Sequence, residues 1–215
     1  MDPVTVPPGR SKGEEPLSHL ASSPMGRSGG GDRAARGGDI DATAAKAKEL
    51  GAVLLMEPMR IPEAGSMIVA IDPVVAAISF WQAAQHVGAA VVNIRCAMSW
   101  NELACRDVDA ATTFYTELLG WGVDAQQYDD FTYTVVKVGD RVNGGIYDMT
   151  GMLPDVVPAR RFVWFSVDGT EATVERVRAL GGTVQREPWD SPIDRMAVVT
   201  DPQGPAFGLI TMEQK

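Results

Sequence analysis

The stretch GTEATVERVRALGGTVQREPWDSPIDRMAVVTDPQGPAFGLI, residues 169–210, decides the fold because the chain writes its pattern twice. The earlier version is DIDATAAKAKELGAVLLMEPMRIPEAGSMIVAIDPVVAAISFW, residues 39–81. Leu50, Gly51, Glu57, Pro58 and Pro62 keep one constant offset from Leu180, Gly181, Glu187, Pro188 and Pro192. After a single deleted residue, Met67, Val69, Asp72 and Pro73 stay in step with Met196, Val198, Asp201 and Pro202. Glycine, proline and apolar positions agreeing together mark an internal repeat of one supersecondary unit.

The unit reads as βαβββ. Val174, Val177 and Leu180 recur at helical spacing, with Thr170 expected as the N-cap and Gly181 as a left-handed stop. TVQREP follows as a strand, then RMAVVT after a turn at Pro192, then PAFGLI after the turn Asp201-Pro202-Gln203-Gly204. RFVWFSV, ahead of the helix, has the β-branched and aromatic character of a leading strand. A third copy lies between the other two, from Ser99 to Met149. It opens with strand WNELAC and continues into a helix capped by Asp107, with apolar face Val108, Ala111, Tyr115 and Leu118 and stop Gly120. YTVVKV and GGIYDM supply its later strands, with Gly144-Gly145 as a strand-entry turn.

The chain therefore divides into four expected parts. Residues 1–38 are rich in Gly, Pro, Ser and Arg and poor in large apolar side chains, so a disordered tail is expected. Residues 39–81 form a unit without its leading strand, residues 82–97 connect, and residues 98–215 hold two complete units. An incomplete unit has unpaired strand edges, so it is expected to dock on the complete pair or on a second copy, and a homodimer is one such arrangement.

Composition narrows the partners. The apolar share of 45% is ample for a core, and the net charge of −9 repels phosphate backbones, which argues against nucleic acid. No apolar run approaches the roughly 18 residues a membrane span requires, and no apolar segment follows Arg10 and Lys12 as in a secretory signal. The two cysteines, Cys96 and Cys105, have neither zinc spacing nor the density of a secreted disulfide framework. A cytoplasmic location is the expectation. No phosphate-binding loop, nucleophile elbow or Ser/His/Asp set is present.

Paired βαβββ units, with Asp-x-Asp/Glu-Ala-Thr or DVDAA opening the helix and Asp-Pro-x-Gly before the last strand, resemble the vicinal oxygen chelate superfamily of glyoxalase, bleomycin-resistance and dioxygenase folds. WNELACRDVDAATTFYTELLGW with FVWFSVDGTEATVERVRALGG looks like its two-domain glyoxalase-like or hydroxylase-like members. The resemblance implies an α+β fold whose units curl into an open, curved-sheet barrel, the cup. It also implies metal ligands on the first and last strands of each unit. Where the family has a last-strand Glu, this chain has Gly208 in one copy and Ser79 in another. Where it has a first-strand His, Phe162 and Trp100 stand. None of these groups suits a divalent metal, and the two histidines, His19 and His86, fall in the tail and the connector. No cofactor is therefore expected; a metal would need a non-standard pair, Glu102 with Asp148, the position matched to Gly208 by aligning NGGIYDM with QGPAFGL.

Strand alternation places Trp100 with Glu102, and Phe162 with Trp164, on inward faces. Trp100, Glu102, Phe162, Trp164 and Gly208 are thus the candidate ligand-binding residues, with Glu102 as candidate acid or base because burial among rings raises a carboxyl pKa. Trp189 and Arg195 are placed at the rim or in packing. Two functional readings follow: a metal-free protein binding a small organic molecule in an aromatic cup, or a glyoxalase-, dioxygenase- or hydroxylase-like enzyme working through a metal or through Glu102. An inactive, shortened descendant is a third.

Overall fold

The structure, a computed structural model, describes residues 39–89, 91–128 and 131–211. The expected tail at 1–38, with His19, lies outside the described residues. The first unit comprises helix α1 (Ile40–Glu49) and strands β1 (Val53–Ile61), β2 (Gly65–Ile71) and β3 (Ala77–Ala83). The second comprises β4 (Met98–Cys105), α2 (Val108–Leu119), β5 (Gly122–Gln127), β6 (Thr132–Val138) and β7 (Arg141–Asp148). The third comprises β8 (Arg160–Val167), α3 (Thr170–Ala179), β9 (Thr183–Asp190), β10 (Arg195–Thr200) and β11 (Ala206–Thr211).

Strands β1–β3 form a three-stranded antiparallel sheet, and the other eight form one sheet ordered β5-β6-β7-β4-β8-β11-β10-β9. In each complete unit the first and last strands run parallel, β4 beside β7 and β8 beside β11. The two first strands then meet antiparallel, with Glu102 opposite Phe162 and Trp100 opposite Trp164. This pairing makes the units exchange places about a local two-fold axis, on which Trp100 corresponds to Phe162 and Glu102 to Trp164. The repeat seen in the sequence is a repeat of register: Val69 faces Ser79 and Ile71 faces Ala77 in the first unit. Val198 faces Gly208 and Thr200 faces Ala206 in the third.

Local chemistry explains most element ends. Asp107 accepts from the Ala110 N–H at 2.9 Å and opens α2, and Gly120 closes it at φ 67°, where a side chain would be strained. Thr170, expected as a cap, is instead the first helical residue of α3 and is fully buried; Gly169 occupies the cap. Its hydroxyl donates to the Arg195 carbonyl at 3.0 Å and its N–H to the Thr211 hydroxyl at 3.0 Å, tying the helix start to the sheet. Gly144 and Gly145 lie inside β7 and are buried, so they are strand residues and not the expected turn.

The first unit shares a core with the second. Ile40, Ala44 and Ala47 of α1 and Ile68, Ile78 and Phe80 of its sheet cluster with Leu103, Phe114, Tyr115, Val136 and Ile146. At the centre of that junction the turn carboxylate Asp72 is entirely buried and accepts a 2.5 Å hydrogen bond from the Tyr115 hydroxyl. Arg161, its side chain 4% exposed, donates to the same hydroxyl and lies 3.8 Å from Asp72. Two opposite buried charges satisfy each other here, and losing either would strand its partner without water. Among the described residues no strand pairs with the outer edge of β3.

Candidate functional site

The sheet curls toward one face. Strands β8 and β9 are three positions apart, about 14 Å on a flat sheet, yet the Trp164 and Trp189 rings approach to 6.2 Å between centroids. Likewise Tyr133 on β6 reaches across β7 to Glu102 on β4. The five residues expected at the site come together on this concave face. Phe162, Trp164, Met196 and Ile210 form its buried floor, with Trp100, Trp189, Val198 and Ala206 packed against it. Phe162 and Trp164 meet edge to face at 5.3 Å.

Glu102 sits in this floor, 8% exposed. The Trp164 Nε1–H donates to its Oε2 at 2.8 Å, and the Tyr133 hydroxyl donates to its Oε1 at 2.8 Å. The Trp100 Nε1–H in turn donates to the Tyr133 oxygen at 2.7 Å, completing a chain of donors that ends on one carboxyl group. Among the described residues no cation forms an ion pair with it. Burial pushes the Glu102 pKa up, and the two hydrogen bonds oppose that shift without cancelling it. Burial and the Glu102 charge push the Tyr133 phenol up as well, so it stays a donor. Tyr147, stacked 6.4 Å from Tyr133, is pushed up to about 12, mainly by burial.

The glycines are occupied space. A Cβ on Gly208 would lie 2.0 Å from Cε3 of Trp164, whose indole is laid across that position. A Cβ on Gly145 would lie 2.0 Å from the Tyr133 hydroxyl. Because Glu102 pairs with Gly145 as Trp164 pairs with Gly208, Gly145 is the true counterpart of Gly208, and Asp148 is not. Asp148 pairs with Cys105 at the end of the strand and is exposed. Hydrogen bonding from the Thr150 side chain, and then from the Thr150 N–H at 2.8 Å, holds its carboxyl below the usual range. The pair Glu102 and Asp148 is therefore not assembled as one site, since the alignment matched the two copies three residues out of register. The missing signal was strand pairing, which sequence alone does not display.

These donors do not suit a divalent cation. The cup offers one carboxylate, already held by an indole and a phenol, and rings or glycines stand at the other places. Among the described residues no group of three or more His, Cys, Asp or Glu side chains gathers.

Trp189 packs on Trp164 and carries the Arg186 guanidinium 3.7 Å above its ring. Arg195 points away from the cup and pairs with Glu171 at 2.7 Å and Asp190 at 3.1 Å. Tyr133 and Tyr147 escaped the sequence reading; the alternation of Tyr133 with Val135 on the strand YTVVKV was the available clue. A small cavity bounded by Asn101, Tyr115, Trp121, Asn143 and Arg161 lies on the helix side of the sheet instead.

Two complete βαβββ units lie on one curved, unclosed sheet, with a third unit docked beside them. The chain belongs to the Glyoxalase/Bleomycin resistance protein/Dioxygenase superfamily, whose family model matches residues 96–209. It is 37% identical over 174 residues to the "Putative glyoxylase CFP32" of Mycobacterium tuberculosis, covering 80% of this chain and 66% of that protein. It is 32% identical over 176 residues to the "Anthracycline biosynthesis protein DnrV" of Streptomyces peucetius, covering 82% of this chain and 63% of that one. The chain thus spans about two thirds of the length of the curated relatives it matches. Among solved structures, the Mn(II)-bound glyoxalase from Novosphingobium aromaticivorans superposes with a TM-score of 0.56 at 15% identity, covering 81% of this chain and 59% of that one. The 2,3-dioxygenase LapB from Pseudomonas sp. KL28 gives 0.54 at 13%, covering 84% and 68%. At those identities the likeness speaks for the fold alone.

Proposed function

We propose that this chain binds a small, flat organic molecule against the aromatic concave face of the eight-stranded sheet, without a divalent metal. The observation that carries the reading is Glu102, a buried carboxyl group gripped by Tyr133 and Trp164 in a cup whose other ligand positions are rings and ring-covered glycines. Two neutral donors satisfy this carboxyl without a counter-charge, and a ligand group that hydrogen-bonds to the network would add to them. The half-buried Trp100, Tyr133, Tyr147 and Trp189 supply flat surface around that group. The names of the relatives, a glyoxylase and an anthracycline biosynthesis protein, accord with small organic molecules. Two free thiols, Cys96 and Cys105, accord with a reducing, cytoplasmic location. Among the described residues no helix is long and apolar enough to cross a membrane.

A second reading makes Glu102 a general acid or base, and its raised pKa favours that role because proton transfer is most effective near the working pH. Protein purified without chelator is expected to carry no stoichiometric zinc, nickel, iron or manganese by elemental analysis. Tryptophan fluorescence is expected to be quenched to saturation by members of an aromatic ligand panel, and less so in Trp164→Ala. Stoichiometric metal in the folded chain would end the metal-free reading. A panel that never quenches would end the binding reading.

A further inference from the structure

The alternation that turns Phe162 and Trp164 into the cup turns Arg160 there too. In register Arg160 faces Ala104, and Ala104 faces Tyr147 on its other side. Ala104 is fully buried and contributes only a methyl group, and Arg160 and Tyr147 stand on either side of it. The Arg160 guanidinium lies over the Phe162 ring, 5.8 Å from its centroid. Its Nε is buried and has no hydrogen-bond partner, and no carboxylate among the described residues pairs with it. The Arg161 Nε is likewise without a partner, but Arg161, like Arg106, Arg178 and Arg195, has a carboxylate beside its guanidinium. The positive charge of Arg160 also acts on the Tyr147 phenol, opposing the upward push of burial, so the two groups share one neighbourhood.

We propose that Arg160, with the Tyr147 hydroxyl beside it, anchors the carboxylate of the cup's ligand, which makes the ligand class flat organic monoacids. This rests on the binding reading above and deepens it. A guanidinium fork fits a carboxylate in plane, and the phenol adds one neutral donor. One cation matches one negative charge, and on a chain of net charge −9 a multiply charged phosphate has no such compensation. Arg160 and Phe162 are two residues apart along β8, about 7 Å, and Phe162 is paired with Glu102. The ligand therefore presents its acid group at Arg160 and its far end toward the Glu102 network.

The test is calorimetric titration of the full chain with benzoate and 2-naphthoate, each beside its neutral carboxamide. The acids are expected to bind at least about tenfold tighter than the amides, the usual margin for a charge-assisted pair. Arg160→Gln, with melting by circular dichroism as its folding control, is expected to erase that margin by weakening acids far more than amides. Arg160→Lys is expected to keep part of it, and Tyr147→Phe to weaken acids several-fold more than amides. Equal binding of acid and amide by the native chain sinks the carboxylate assignment while leaving the cup reading intact. So does an equal loss of both in Arg160→Gln. Failure of every acid and every amide to bind sinks both readings. Should Arg160→Gln not fold, the native acid-to-amide ratio and Tyr147→Phe decide the matter.

Discussion

Glu102 is a buried carboxyl group on the concave face, and its titration should be visible in stability. In the unfolded chain a glutamate titrates near about 4.3, whereas burial raises the folded value. Below the unfolded pKa both states carry the proton and the folded state holds its full stability. As pH rises, the unfolded chain ionises first and binds fewer protons, so folded stability declines until pH passes the folded pKa. Glu102→Gln keeps the shape and removes the proton. The expected outcome is a melting temperature that falls with pH above about 4.3 in the native chain relative to the variant. Parallel curves for the two proteins across that window would show that the carboxyl group is not buried as described.

At the scale of elements, the turn before the last strand shows what repetition costs. In the third unit the Asp201 N–H donates to the Pro205 carbonyl, and Gly204 takes φ +106°. In the first unit Asp72 and Ala76 make the same bond, but Val75 stands at the corresponding left-handed position with φ +69° and is exposed. A β-branched side chain is strained there, by about 1–2 kcal/mol. Val75→Gly is expected to raise unfolding free energy by about 0.5–1.5 kcal/mol, the entropy of the added glycine offsetting part of the relief, as read from urea denaturation. A loss of stability would mean that the valine packs in a way the turn geometry does not show. Elements with strong periodicity, such as α2 with Ala111, Phe114 and Tyr115 buried, were legible from spacing. β5 was not, because all six of its residues are exposed and it carries no alternation to read.

For the whole molecule, the decisive contact joins the first unit to the other two through Asp72, Tyr115 and Arg161. Asp72→Asn retains an acceptor for the turn but leaves Arg161 buried without an anion. The expected loss is about 3–5 kcal/mol, with Tyr115→Phe costing about 1–3 kcal/mol. Urea denaturation checks both; a loss below about 1 kcal/mol in Asp72→Asn would show that water reaches the pair.

What the sequence determined by itself is the repeated unit and the residue types of its inner face, because glycines, prolines and the period of apolar positions act locally along the chain. Trp100, Glu102, Phe162, Trp164 and Gly208 could be read as neighbours on alternating strands for the same reason. Only the tertiary structure decided that Tyr133 and Trp164 both end on Glu102, that Gly145 and not Asp148 is the counterpart of Gly208, and that Arg160 lies across Ala104 from Tyr147 with its Nε unpartnered among the described residues. Those facts depend on strand pairing and on the curl of the sheet, which bring together side chains tens of residues apart and leave no trace in local spacing.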